Sequence, residues 1–191
     1  MTKHLSLILA ASVICSVAGA VLIDFEAYAD YQNLHGVNLG GVTFTNPTNG
    51  VVEIYADNRF AVSYHSATKA IGSFDGCVSV NPMVGTLDIP HNWVSLWAGD
   101  SGNDTDYWSL EAFDSNWQSL GKVFSVQWNG SPYTQLRIDA IGIKYFKAVS
   151  ETCGCGIGFD DLEFGCPIPE PGTCLLLGSG LIGLIGIAKR K

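Results

Sequence analysis

Between Val21 and Ile168, apolar residues recur at every second position in short runs. Ile23 and Phe25 alternate with Asp24 and Glu26, and Val42 and Phe44 with Thr43 and Thr45. Val94, Leu96 and Ala98 form a further set, then Trp108, Leu110 and Ala112, then Phe124, Val126 and Trp128. Ile141, Ile143 and Tyr145 follow, and Phe159 opens the last run. A period of two marks strands with one buried face, and no stretch of useful length keeps a helical period. Gly-Asn, Asp-Gly and Asp-Ser pairs supply turn chemistry between the runs. Many short strands with polar turns predict an all-β body, an antiparallel two-sheet jelly-roll sandwich, with a barrel as the nearest alternative.

The two ends break this pattern. Residues 1–20 read MTKHLSLILAASVICSVAGA: a short polar start, an uncharged apolar run from Leu5 to Val17, and the small-x-small site Ala18-Gly19-Ala20. These are the parts of a secretory signal peptide, cut after Ala20 by signal peptidase once the Sec machinery has exported the chain. At the other end, Thr173 to Ala188 are sixteen uncharged residues followed by Lys189-Arg190-Lys191. As a helix they would reach about 24 Å, a short transmembrane span against a hydrocarbon core of about 30 Å. The basic end would stay cytoplasmic by the positive-inside rule, leaving the body outside the inner membrane.

Pro169-Glu170-Pro171, then Gly172-Thr173, a Leu- and Gly-rich span and a basic end resemble the PEP-CTERM sorting signal. The resemblance implies an exosortase as partner, transient anchoring in the inner membrane, removal of the tail near Pro-Glu-Pro, and a cell-surface or extracellular destination in a bacterium that makes exopolysaccharide. The chain thus divides into a signal peptide (1–20), a jelly-roll ectodomain (21–166) and a sorting tail (167–191). The segment LWAGDSGNDTDYWSLEAFDSNWQSLG, with the opening IDFE, the run GVTF and the closing FDDLEF, is similar to jelly-roll ectodomains that carry such tails. In that pattern a Gly is common where this chain has Trp117.

Charge narrows the partners. The chain holds 10 basic and 18 acidic residues; without the two ends, 6 basic and 17 acidic remain, a body near −11. Such a surface excludes nucleic acid as a natural partner. Cations, neutral sugars and polar polymers suit it better, and acidic surfaces also keep secreted proteins soluble.

Cys77, Cys153, Cys155 and Cys166 form an even set in an exported domain, which predicts two disulfides. Cys153 and Cys155 flank a single Gly and are poorly placed to bond each other, so each is expected to pair with Cys77 or Cys166. Zinc is the competing reading, and no His lies near these cysteines to favour it.

Alternation in the last run switches phase at Asp160-Asp161. Ile157 and Phe159 are apolar on one phase, Leu162 and Phe164 on the other. A β-bulge at the acidic pair would return both sets to the core and turn two carboxylates the same way. First and last strands of a jelly roll are commonly neighbours, which would add Asp24 or Glu26. Hard oxygen ligands so grouped suit structural Ca²⁺; a solvated edge that discourages strand pairing is the plainer reading. Asp100, Asp104 and Asp106 in GDSGNDTD lack full EF-hand spacing and read as a hydrophilic loop.

Trp93, Trp97, Trp108, Trp117 and Trp128 are many for one small domain. Most Trp in a β-sandwich is core, but exposed rings can stack on sugar faces. Trp97 and Trp117 are the candidates for such a glycan-binding role. No catalytic constellation is legible: His35, His65 and His91 are scattered, and no nucleophile elbow, zinc-protease motif or phosphate loop occurs. The sequence therefore points to an exported, non-enzymatic surface or matrix protein associated with exopolysaccharide and biofilm. A glycan-binding module is the first alternative and a glycoside hydrolase, or another secreted hydrolase, the second.

Overall fold

The structure is a computed structural model and describes residues 19–47, 51–55, 68–74, 82–99, 105–129, 133–152 and 157–165. The expected signal peptide, the sorting tail with its hydrophobic helix, and Cys77, Cys153, Cys155 and Cys166 lie outside the described residues. The body clusters as one compact unit, Ala20–Cys166.

The described residues of the body form twelve strands and no helix. In chain order they are β1 (Val21–Ile23), β2 (Asn38–Leu39), β3 (Val42–Thr45), β4 (Val51–Tyr55), β5 (Ala70–Phe74) and β6 (Met83–Gly99). There follow β7 (Thr105–Asp106), β8 (Trp108–Phe113), β9 (Ser119–Phe124), β10 (Trp128–Asn129), β11 (Thr134–Ser150) and β12 (Gly158–Gly165). The pairings between these strands are antiparallel.

The expected jelly roll is present, but its two layers are one hydrogen-bonded sheet folded over on itself. The fold-over is made by β6 and β11, each 17 residues long. The first half of β6 pairs with β3 and with the second half of β11, which continues to β8 and β9. The second half of β6 pairs with the first half of β11 and with β12, which continues to β5 and β4. Both long strands bend where pairing lapses. In β6 the ladder with β3 ends at Leu87, just before Pro90, which has no N–H to donate. In β11 the register shifts on both sides of Ile143, next to Gly142 at φ 86°.

One core fills the space between the layers. Trp108 of the first layer meets Phe159 of the second edge-on, ring centroids 5.5 Å apart. Gly85 is required in β6 because a Cβ there would lie 2.1 Å from the Phe146 ring. Val42, Phe44, Val94, Leu96, Ala98, Leu110 and Ala112 all face inward, as their alternation predicts.

Phe124, Val126 and Ile141, expected in the core, face solvent instead, and Tyr145, expected with them, lies partly covered on the outer face. Leu110 pairs with Val123, so the inward phase of β9 falls on Val123 and turns Phe124 outward. Ile141 sits at the β11 bend, beyond which the inward set becomes Ile143, Phe146 and Ala148.

Candidate functional site

The expected bulge forms. Pairing of β12 with β6 slips between Asp160 and Glu163, and Asp161 takes up φ 42°. This slip brings both Phe159 and Leu162 into the core. β1 lies beside β12, with Ile23 opposite Leu162, so Asp24, the residue after β1, follows next to the bulge. Asp160 and Asp161 are both buried, and the Asp161 amide donates to Asp160 Oδ1 at 2.8 Å. Glu26 has another task. Its Oε1 accepts from the amides of Thr68 and Lys69, at 2.9 and 2.8 Å, and its Oε2 from the Thr68 hydroxyl at 2.9 Å. Burial works to raise its pKa, and these donors with the Lys69 ammonium outweigh it, holding the carboxyl below its usual range. Among the described residues, no group of three or more His, Cys, Asp or Glu is arranged to hold a metal ion.

Trp97 and Trp117 are on opposite outer faces. Trp97 projects from β6 in the second layer, between Gln135 of β11 and Asp160 of β12, and is half-buried. Trp93, four residues earlier on the same face, is buried: the Arg137 guanidinium lies 4.1 Å from its ring centre. Arg137 is itself fixed by Asp139, through contacts of 2.7 to 3.1 Å. Its hydrogen bond to Arg137 holds the Asp139 carboxyl below the usual range. Between the two indoles, the Gln135 amide donates to Ser95 Oγ at 3.3 Å.

Trp117 belongs to the turn from β8 to β9, on the first layer. Asp114 builds that turn. Its Oδ1 accepts from the amides of Asn116 and Gln118, at 2.8 and 2.9 Å, and its backbone bonds Trp117 and Gln118. The Gln118 amide, above all, pulls the Asp114 carboxyl below its ordinary value. The turn forces Trp117 to φ 59°. A left-handed backbone costs a bulky residue about 1–2 kcal/mol, and Gly would adopt it freely. The indole lies flat on Tyr145 of β11, centroids 4.2 Å apart and planes 10° apart, and leans on Phe113 of β8 at 5.4 Å. Trp117 is still 50% exposed. One face of the ring is backed by tyrosine, and the remainder meets solvent.

Apart from Asp114, the charges near this platform are paired. Lys122 pairs with Glu151 at 2.8 Å, and Glu151 also accepts from the Ser109 hydroxyl. Glu111 lies between Lys122 and Lys147 in the cross-strand register and accepts from Ser119 Oγ at 2.8 Å. The sequence signal for Phe113 is an aromatic residue on the polar phase of a strand, whereas Tyr145 reads with Ile141 and Ile143 as core and reaches the outer face only because the β11 register shifts between Ile143 and Tyr145. Nothing in the sequence brings Tyr145 to Trp117, because that contact depends on the β8–β11 register.

The sequence model of the PEP-CTERM protein-sorting motif matches residues 167–191. No curated protein matches the chain significantly. Among solved structures, the K2 cleaved adhesin domain of Lys-gingipain is similar at a TM-score of 0.52 and 12% identity, over 76% of this chain and 99% of that one. TmCBM61 in complex with β-1,4-galactotriose aligns at a TM-score of 0.47 and 14% identity, over 72% and 98%. The CBM22-1 xylan-binding domain from Paenibacillus barcinonensis Xyn10C aligns at 0.43 and 12%, over 73% and 97%. The adhesin likeness is one of fold. The tail motif implies recognition by an exosortase and delivery to the cell surface or beyond. The chain is therefore an all-β jelly-roll body that ends in a PEP-CTERM sorting motif.

Proposed function

We propose that the body is a non-enzymatic glycan-binding module of the extracellular matrix, delivered there by its sorting tail and holding exopolysaccharide through the Trp117 platform. The observation that carries this reading is Trp117 itself. A bulky residue is kept in a left-handed turn where glycine would be easier, and half of it faces solvent. Backbone strain of this kind persists where a side chain is needed in that place. An indole backed by a tyrosine is flat, rigid and apolar on its free face, which suits the C–H face of a sugar ring. In fold the body is akin to an adhesin domain, in keeping with this reading.

The test is affinity electrophoresis of the protein recovered from its producing cells, in gels containing that strain's exopolysaccharide. The wild type should be retarded and Trp117→Ala should run freely, with unchanged circular dichroism. Equal retardation of the two would remove the platform from the reading. Mass spectrometry of the same material should show both ends removed, near Ala20 and near Pro169-Glu170-Pro171.

A further inference from the structure

The platform is one end of a longer row. Reading the register across the first layer, Phe113 lies opposite Tyr145, Tyr145 opposite Thr86, Thr86 opposite Thr43, and Thr43 opposite Asn38. The row runs at right angles to the strands, from β8 through β11, β6 and β3 to β2. Its residues are on the outer face: none is buried, whereas Ala112, Phe146, Gly85 and Phe44, beside them on the inward phase, are. With strands about 4.8 Å apart, the three steps from Phe113 to Thr43 span about 14 Å.

The chemistry changes along that length from aromatic to hydroxyl and amide. The Thr86 hydroxyl has no hydrogen-bond partner among the described residues, and Thr43 Oγ1 has only a long contact, 3.5 Å, from Asn38. The Asn38 amide is oriented by Asp88 Oδ1 at 2.8 Å. Hydroxyls both donate and accept, so they match a polyhydroxylated ligand without selecting a charge. Beside the Trp117 end, Glu111 and Glu151 are balanced by Lys122 and Lys147, and the row from Phe113 to Asn38 itself holds no charged residue. On a body near −11, a neutral strip is where an uncharged polymer meets the least unfavourable desolvation.

Resting on the glycan-binding reading above, we infer that the ligand is an internal stretch of a neutral, linear polysaccharide. It lies across β8, β11, β6 and β3, stacked on Trp117 at one end and hydrogen-bonded by Thr86, Thr43 and Asn38 along the rest. A site of this shape takes the middle of a chain, not its terminus.

The experiment measures binding of size-fractionated fragments from a partial hydrolysate of the producing strain's exopolysaccharide. Wild type is compared with the double variant Thr43→Val and Thr86→Val, which keeps strand propensity and shape on an outer face. Wild-type affinity should rise with fragment length until the row is filled and then level off. The double variant should bind long fragments about tenfold more weakly, as expected for two lost hydrogen bonds. It should bind the shortest fragments as the wild type does, because Trp117 alone holds them. Affinity should stay constant as salt is raised. Length-independent affinity, or a double variant equal to wild type on long fragments, overturns the extended site while leaving the platform standing. A steep loss of affinity with salt overturns the neutral ligand. A wild type that binds no fragment of any length overturns this inference together with the glycan-binding reading.

Discussion

The two outer faces of the sandwich carry the same kind of residue and treat it in opposite ways. On the second layer Trp93 is roofed by Arg137, which Asp139 clamps in place. On the first layer Trp117 is lifted into solvent by a strained turn and backed by Tyr145. One indole is covered by a cation that fills the position a ligand would take. The other is kept uncovered at the expense of backbone conformation. A count of tryptophans cannot distinguish these cases, because what differs is the neighbour across the strand and the dihedral angle of one residue.

The comparison breaks most visibly by truncation. Trp93→Ala should destabilise the body by about 3 kcal/mol, in the range for a buried Trp, and leave exopolysaccharide binding unchanged. Chemical denaturation and affinity electrophoresis read the two effects separately. Trp117→Gly should do the reverse. It loses stacking of about 0.5–1.5 kcal/mol and the burial of the covered half of the indole, but is relieved of a left-handed penalty of about 1–2 kcal/mol, so it should cost less stability than Trp93→Ala. Binding should be lost. If Trp117→Gly proved strongly destabilising, the platform would be a packing feature and not a ligand site.

These expectations show where the sequence could be read and where it could not. Strand periodicity located Val42 and Phe44, Val94 to Ala98, and Trp108 to Ala112 correctly, since each lies in a straight stretch with one buried face. The phase switch at Asp160-Asp161 revealed a bulge for the same reason. Periodicity failed at Ile141, where β11 bends and its register shifts, and at Phe124, whose phase is set by the pairing of Val123 with Leu110. The continuity of β6 through Pro90 was not legible, because proline reads as a strand end. Trp117 was legible as a candidate. Its tyrosine backing was not, and neither was the row to Asn38, which joins residues from positions 38 to 145 by register alone. Trp97 was singled out with Trp117, yet the fold puts the two on faces that cannot share a ligand.

A smaller change should turn the closed face into an open one. Arg137 and Asp139 are 46% and 66% exposed, so their ion pair is worth no more than about 1 kcal/mol. Arg137→Ala should therefore leave the melting temperature nearly unchanged while uncovering the Trp93 ring. Acrylamide quenching of tryptophan fluorescence should increase, and the increase should vanish when Trp93→Phe is added. No change in quenching would mean that the guanidinium is not the roof.

The finest distinction lies in what holds each indole. Asp139 acts on Trp93 through a charge pair with Arg137, whereas Asp114 acts on Trp117 through two backbone amides. Both carboxyls are held below their usual range, and in each case the folded form has the lower pKa. Each contribution is thus fully present above the unfolded-state pKa and is lost as pH falls through the folded one. Acid below the ordinary carboxylate range should loosen both indoles alike. Salt at neutral pH should separate them. At 1 M the screening length falls to about 3 Å, which weakens an exposed ion pair but not amide hydrogen bonds closed within one turn. The indole N–H resonances of Trp93 and Trp117, assigned through the two Trp→Phe variants, report each site independently. Rising salt should shift the Trp93 signal and leave that of Trp117 in place, and Asp114→Ala should move only the latter. Equal salt sensitivity at both would mean that the turn, too, is held by charge, and the contrast between the faces would reduce to exposure alone.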